Sequence, residues 1–171
     1  LMNRIRKTSP TARLVVAGTG PAEERLREAM PDGIYLGWVD APTLAQAYTA
    51  ADVMLMPSRF DTFGCVVLEA LACGLPVVAY KTKGPKDIIV EDVCGHLVRT
   101  REQLANRTAE LLCDEKKRTR MRLESRRRAS VFNADDIVAR LLRDLGLDQM
   151  ELDLGMGKSD ATEGAEVRAV P

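Results

Sequence analysis

Two acids, Asp61 and Glu69, mark the segment 57–76 as the part of the chain best suited to chemistry. Between them lie only polar and apolar residues without charge, and Val, Leu and Ala surround Glu69. We expect this stretch to be a helix buried on most sides, where a carboxylate is unfavourable unless it is paired or open to a ligand. The residues alone leave both interpretations open: Glu69 pairs with a lysine such as Lys83 or Lys86, or it binds a ligand.

The start of the same helix is suited to binding an anion. A helix that begins near Gly64 offers the backbone N–H groups of Thr62, Phe63 and Gly64 at the positive end of its dipole. Gly64 has no Cβ, so an anion can approach the backbone closely. From Gly64 to Glu69 the helix rises about 7.5 Å. A diphosphate at the helix start, a ribose at Glu69 and a sugar near Asp61 would fit this spacing, which favours a nucleotide-sugar.

The elements that must position this segment follow a regular order. Short apolar stretches alternate with helical patterns along the chain, and the predicted strands are 14–17, 34–36, 53–56, 77–80 and 96–98. This order is typical of a parallel sheet with helices on both faces. We therefore expect an α/β fold with a doubly wound, mostly parallel sheet. Ligands of such folds bind at the carboxyl ends of the strands, which here are the loops 18–21, 37–40, 57–64 and 81–84.

The composition favours one globular domain. The chain has 171 residues, 46% of them hydrophobic, with 25 basic and 25 acidic side chains. We expect one domain over residues 1–145 and a disordered tail over 146–171, where aromatic residues are absent and glycines are frequent. Zero net charge gives no reason to expect a nucleic acid as partner.

The cysteine and histidine content argues against a metal centre. Cys65, Cys73, Cys94 and Cys113 have no C-x-x-C spacing, and His96 is the only histidine. We expect buried, reduced thiols, no metal and no cofactor. No apolar run reaches the roughly 18 residues of a membrane span and no secretory leader opens the sequence, so we expect a cytoplasmic protein.

A run of eight basic residues lies within 116–128. We expect it to form the solvated face of a helix. The alternative is contact with anionic lipid headgroups, which would place the protein peripherally at the inner face of the membrane.

The segment 57–76 resembles the signature of the family 4 retaining glycosyltransferases, the glycogen-synthase-like group with the GT-B fold. In that signature an acid and a glutamate are separated by seven residues, following Pro-Ser and enclosing Phe-Gly. The matching parts here are Pro57-Ser58, Asp61, Phe63-Gly64, Glu69-Ala70 and Gly74-Leu75-Pro76-Val77-Val78-Ala79. Leu14 to Pro21, ending in Gly-x-Gly-Pro, and Tyr35-Leu36-Gly37 also resemble the family.

The resemblance implies a Rossmann-like, nucleotide-sugar-binding domain that forms the donor-binding half of a retaining glycosyltransferase. Such an enzyme transfers a sugar from a UDP- or GDP-sugar to a glycan, lipid or other acceptor, without a cofactor or bound metal. Catalytic roles would fall to Glu69, which binds the ribose hydroxyls, and to Asp61, which contacts the donor sugar. The implied substrate-binding residues are Gly18, Gly20, Leu36, Gly37, Pro57, Ser58, Thr62, Phe63, Gly64 and Lys83.

Some features depart from the family pattern. Asp61 stands where glutamate is usual, and Lys83-Gly84 stands where many members have Gly-Gly. Members usually supply an arginine and a lysine from upstream of Leu14, and they carry an N-terminal acceptor-binding lobe. We expect that missing lobe to be this domain's partner and the isolated chain to be inactive. The alternatives are a sugar-nucleotide epimerase or a phosphorylase on the same fold, or a non-catalytic α/β binding module.

Overall fold

Five strands alternate with helices in the computed structural model, which describes residues 1–144. The strands are β1 Val15–Ala17, β2 Ile34–Gly37, β3 Met54–Met56, β4 Val77–Tyr80 and β5 Gly95–Val98. The helices are α1 Met2–Thr8, α2 Glu23–Ala29, α3 Ala41–Ala50, α4 Cys65–Ala72, α5 Pro85–Ile88, α6 Arg101–Cys113, α7 Glu115–Ser130 and α8 Ala134–Asp144.

The chain divides into two compact units, Leu1–Asn133 and a second one that begins at Ala134. The first unit holds all five strands and helices α1 to α7. Of the second unit the structure describes helix α8, whose apolar residues Ile137, Val138 and Leu141 are exposed. The predicted tail, 146–171, lies outside the described residues. None of the described helices is long and apolar enough to cross a membrane.

All strand pairs are parallel, as the sequence pattern predicts, but their hydrogen bonds form two sheets. One sheet has the order β1-β2 and the other the order β3-β4-β5. Strands β1 and β3 are each only three residues long. Leu14, before β1, and Leu55, in β3, pack against one cluster of buried residues on α1 and α6 that includes Ile5 and Ala105. The sequence predicts one continuous sheet. In the structure side-chain packing, rather than backbone hydrogen bonds, joins the two sheets.

Strand β4 is buried on both faces. Val77 and Ala79 pack against the cluster formed by α4 and α5, whereas Val78 and Tyr80 pack against α6 and α7. Because successive side chains of a strand point to opposite faces, this alternation places helices on both sides of the sheet. The doubly wound α/β architecture predicted from the sequence is thus confirmed.

Polar side chains fix the starts of three helices. Asp40 Oδ1 accepts a hydrogen bond from the Thr43 N–H at 3.0 Å at the start of α3. Thr100 forms a reciprocal capping box with Gln103 at the start of α6. Asp114 accepts from the Lys117 N–H at 2.9 Å at the start of α7. Each cap contributes about 1 kcal/mol.

Three arginines of α7 depart from the expectation of a solvated helix face, whereas Lys116, Arg120, Arg126 and Arg127 are exposed as expected. Arg118 donates to the carbonyls of Leu111 and Leu112 at the end of α6, and Arg128 donates to those of Asp87 and Ile88 at the end of α5. The guanidinium of Arg122 donates to Thr49 at 2.8 Å and to Ala51 at 2.9 Å, where α3 ends. Carbonyls at a helix end lack partners within the helix and attract cations. Helix α7 therefore uses these arginines to cap three neighbouring helices.

Two glycines bring the loop before α4 against the loop before α5. A Cβ on Gly84 would lie 2.5 Å from the Phe63 carbonyl oxygen, and the φ of Gly84 is +80°. Gly64 has a φ of +94°, and a Cβ there would lie 3.2 Å from Ile88 Cδ1. Close backbone approach and the left-handed conformation both require glycine. The start of α4 is therefore fixed against the start of α5.

The expectation of buried thiols is wrong for two of the four cysteines. All four are free, and Cys94 is buried, but Cys65 and Cys113 are exposed. Cys65 lies on the outer side of α4, and Cys113 is the last residue of α6, where its Sγ donates to the Thr8 carbonyl of α1 at 3.6 Å.

Replacing Arg122 with alanine should lower the free energy of unfolding by about 1–3 kcal/mol, because two charge-assisted hydrogen bonds to helix-end carbonyls are lost. Arg120→Ala is the matched control, since Arg120 is exposed on the same helix. We expect it to change stability by no more than about 0.5 kcal/mol. Equilibrium urea unfolding measures both, and equal losses in the two variants would contradict the capping role.

Replacing Gly84 with alanine should lower the free energy of unfolding by at least about 2 kcal/mol, because the new methyl group would overlap the Phe63 backbone in a strained conformation. Gly20→Ala is the control, since a Cβ at Gly20 meets nothing within 4 Å. Thermal unfolding of both variants gives the comparison. A Gly84→Ala protein as stable as Gly20→Ala would show that the two loops do not approach as described.

Candidate functional site

All predicted substrate-binding residues lie at or after the carboxyl ends of strands β1 to β4. Gly18 and Gly20 follow β1, whereas Leu36 and Gly37 are the last two residues of β2. Residues 57–64 connect β3 to α4, and Lys83 follows β4. Carboxyl ends of parallel strands share one edge of a sheet, which is where ligands of α/β folds bind.

The residues at the ends of β1 and β2 form one group. The Gly18 N–H donates to the Gly37 carbonyl at 2.6 Å, which joins the two loops. A Cβ at Gly18, Gly20 or Gly37 would meet no atom within 4 Å, so the space above these loops is open. Leu36 is partly buried beneath them.

The residues after β3 and β4 form a second group around an open cleft of about 660 Å³. The cleft is lined by Arg59, Phe60, Asp61, Thr62, Thr82 and Lys83. Neither the glycines of the first group nor Glu69 lines it. Pro57 is exposed beside it, and the Ser58 hydroxyl donates to the Phe60 carbonyl at 2.8 Å, which folds the loop back on itself.

Glu69 is exposed, which corrects the expectation of a buried carboxylate. Helix α4 turns Val67, Ala70 and Leu71 into the core, and Glu69 lies outside that buried face. Its Oε2 accepts a hydrogen bond from the Tyr48 hydroxyl on α3 at 3.3 Å. The half-buried position of Tyr48, together with the nearby Glu69 charge, raises the pKa of Tyr48 to about 12, so its hydroxyl is a donor at neutral pH.

The proposed ion pair between Glu69 and a lysine is absent. Within the described part of the chain, Glu69 forms no salt bridge, and Lys86 instead lies 3.9 Å from Asp87. Within the described residues the exposed Glu69 carboxylate therefore has only a tyrosine hydroxyl as its hydrogen-bond partner. Such a carboxylate is available to accept hydrogen bonds from a ligand.

The start of α4 differs in one respect from the expectation. The Phe63 N–H is not free, because it donates to Asp61 Oδ1 at 3.0 Å. A short side chain with a carboxylate readily hydrogen-bonds the backbone two residues on, which explains the difference.

The backbone N–H groups on either side of Phe63 remain free. They extend to Val66, two residues beyond the last N–H group that the sequence predicts to be free, that of Gly64. Within residues 1–144, the N–H groups of Thr62, Gly64, Cys65 and Val66 have no acceptor. Gly64 is the N-cap, and its carbonyl accepts from the Val67 and Leu68 N–H groups. The positive end of the helix dipole is thus unsatisfied and exposed at Cys65 and Val66.

Two cations stand at the cleft without carboxylate partners in the described residues. The Arg59 guanidinium lies 4.2 Å from the centre of the Tyr80 ring, an arrangement that fixes its position. Lys83 is exposed and also lines the cleft. Asp61 belongs to the same lining. The cleft can therefore hold an anionic group at its cations and hydroxyl groups at Asp61.

A separate cluster of Glu91, Asp92 and His96 has donor atoms close enough together for a metal ion. Its acids already have partners: Glu91 accepts from the Leu97 N–H at 2.7 Å, and Asp92 accepts from Lys117 at 3.0 Å. Buried His96 turns its Nδ1 to Glu91 at 2.8 Å. This arrangement ties the start of β5 to the preceding turn, which accounts for the closeness of the three side chains.

The sequence reasoning did not identify Tyr48 or Arg59. Arg59 is the only basic residue of the loop 57–64 and stands two residues before Asp61, so its position in the sequence could have marked it as a candidate site residue. Tyr48 carries no local signal, because it contacts Glu69 on another helix, 21 residues further along the chain.

Residues 1–128 match the family model of the glycosyl transferases group 1. Sulfoquinovosyl transferase SQD2 of Arabidopsis thaliana is 42% identical over 98 residues, which are 56% of this chain and 19% of that protein. A GDP-mannose-dependent alpha-mannosyltransferase of Mycobacterium tuberculosis is 38% identical over 132 residues, covering 63% of this chain and 35% of that protein.

The fold agrees with these similarities. The crystal structure of Anabaena Alr3699/HepE in complex with UDP superposes with a TM-score of 0.72 at 23% identity, covering 85% of this chain and 44% of that one. The chain spans between 19% and 35% of the length of the two relatives above. Because the family model covers well over half of its residues, this chain belongs to the group 1 glycosyl transferases.

Proposed function

We propose that this chain is the donor-binding half of a retaining glycosyltransferase that moves a sugar from a UDP- or GDP-sugar to an acceptor. One observation carries the proposal: within residues 1–144, Glu69 is exposed and pairs with no cation, and the first N–H groups of its helix have no acceptor. A ligand that presents an anion and hydroxyl groups about 4.5–7.5 Å apart along the helix axis would satisfy both features. A nucleoside diphosphate has this form.

In this proposal the ribose lies at Glu69 and the diphosphate at the start of α4. The carboxylate accepts hydrogen bonds from the ribose hydroxyls, because an ionised carboxylate has acceptor sites only. Cys65 and Val66 offer N–H groups to the phosphate oxygens. The bond between Asp61 and the Phe63 N–H supports this assignment, because it leaves the next amides on the helix to the phosphate.

Negative charge develops on the diphosphate as the bond to the sugar breaks, so groups that stabilise this charge accelerate the transfer. Arg59 and Lys83 line the adjacent cleft and have no carboxylate partner within the described residues. They are suited to this role in a family whose members usually supply an arginine and a lysine from further upstream. Asp61, in the same lining, would contact hydroxyl groups of the donor sugar.

The exposed aromatic residues at this edge support a second lobe as partner. Phe60 is 93% exposed and Trp38 is 81% exposed, although both rings are large and apolar. Such side chains are normally covered, so a further part of the full-length protein that closes over this edge would bury them. The small share of its relatives that this chain spans is consistent with such a part.

The relatives bear on the donor as well. One curated relative is named for its dependence on GDP-mannose, and a structural neighbour was solved with UDP. Both ligands are nucleoside diphosphates or their sugar esters, which is the class that the spacing between the start of α4 and Glu69 favours.

Replacing Glu69 with glutamine in the full-length protein should raise the dissociation constant of UDP or GDP about tenfold or more, because hydrogen bonds to an ionised carboxylate are lost. Glu28→Gln is the control, since Glu28 is exposed near the end of α2 and is not among the predicted site residues. Isothermal calorimetry measures both variants. Unchanged nucleotide affinity in Glu69→Gln would show that the ribose is bound elsewhere.

Product analysis distinguishes the alternatives on the same fold. A glycosyltransferase forms a glycosylated acceptor with the anomeric configuration of the donor. An epimerase instead releases an altered nucleotide-sugar, and a phosphorylase needs inorganic phosphate and forms a sugar phosphate. Recovery of either of these products without acceptor glycosylation would contradict the proposal.

A further inference from the structure

Tyr48 is the only polar side chain of the described residues that contacts Glu69. Its hydroxyl donates to Glu69 Oε2 at 3.3 Å from helix α3, and its ring packs against the core cluster around α4. Glu69 itself is exposed. The carboxylate is thus held from one side by a residue of a different helix while its other oxygen, Oε1, has no partner in the described chain.

We propose that Tyr48 is a positioning residue that holds Glu69 in the orientation needed to accept the ribose hydroxyls of the donor nucleotide. This inference rests on the function proposed above and extends it to a residue outside the 57–76 segment. An exposed glutamate without such a contact would sample several rotamers. Its affinity for a ligand would then fall by the fraction of time spent in the competent one.

The position of Tyr48 is itself constrained by the fold. Arg122 of α7 donates to the carbonyls of Thr49 and Ala51, so the end of α3 directly after Tyr48 is anchored. Helix α7 also packs against α4, the helix that carries Glu69. Both partners of the hydrogen bond are therefore braced by the same helix.

The chemistry of the pair suits this role. Since Glu69 is a carboxylate that can only accept, its partner must be a donor, and the raised pKa of Tyr48 keeps the phenol protonated at neutral pH. One oxygen of Glu69 is engaged by Tyr48, and the other is left for the ligand. A phenylalanine would keep the ring packing and remove only the hydroxyl.

The test compares each nucleotide with an analogue that lacks the ribose hydroxyls. The full-length protein and its Tyr48→Phe variant are titrated by calorimetry with UDP and GDP, and with the 2′,3′-dideoxy analogue of each. We expect Tyr48→Phe to raise the dissociation constant of UDP or GDP about three- to tenfold. For the dideoxy analogue we expect a change of less than about twofold, because it has no hydroxyl for Glu69 to bind.

The dissociation constants of the nucleotide and of its dideoxy analogue are measured on the same protein sample. A partial loss of folded protein therefore affects both constants in the same direction and leaves their ratio unchanged. Tyr35→Phe is the matched control, because the Tyr35 hydroxyl donates to the carbonyls of Leu26 and Met30 in another part of the fold. We expect that variant to leave both constants unchanged.

Each contrary result has a distinct meaning. Equal losses for the nucleotide and its dideoxy analogue would overturn the positioning role, because Tyr48 would then act on the site in general. Unchanged affinity in Tyr48→Phe beside a large loss in Glu69→Gln would overturn the role of Tyr48 and retain the proposed function. If Glu69→Gln also binds normally, the proposed function fails and the inference fails with it.

Discussion

The candidate site depends on helix α4 being packed on one side and open on the other. Val67, Ala70 and Leu71 are fully buried, and the N-cap Gly64 contacts the side chains of α5. Because the inner side is anchored, the outer side holds its free N–H groups, from Gly64 to Val66, and Glu69 at a constant axial rise of about 4.5–7.5 Å. A fixed separation between a positive helix end and a carboxylate selects ligands that carry phosphate and hydroxyl groups at matching distance.

Helix α7 has a larger part in this arrangement than its charge suggests. Arg118, Arg122 and Arg128 donate to the carbonyl ends of three other helices, so these three of the eight basic residues are directed into the molecule. A guanidinium satisfies two carbonyls at once, which a lysine cannot do with the same geometry. Helix α7, whose sequence predicts only a basic surface, therefore braces helices α3 and α4, which carry Tyr48 and Glu69.

The parallel α/β fold was predictable because apolar strands and amphipathic helices are encoded by local periodicity. The orientation of Glu69 was not, since nearly every neighbour on α4 is apolar and the exposed side is decided by packing against other elements. Asp61 could either face a ligand or bond the Phe63 N–H, and the sequence contains no signal that distinguishes the two. The carbonyl partners of Arg122 lie 71 and 73 residues away, beyond the reach of any local pattern.

A crystal structure of the full-length protein with bound UDP or GDP, whichever binds more tightly, tests the central claim most directly. We predict that the ribose hydroxyl oxygens lie within about 3 Å of the Glu69 carboxylate. The diphosphate should lie at the start of α4, within hydrogen-bond distance of the Cys65 and Val66 N–H groups. A nucleotide bound away from α4, or a ribose without contact to Glu69, would contradict the claim.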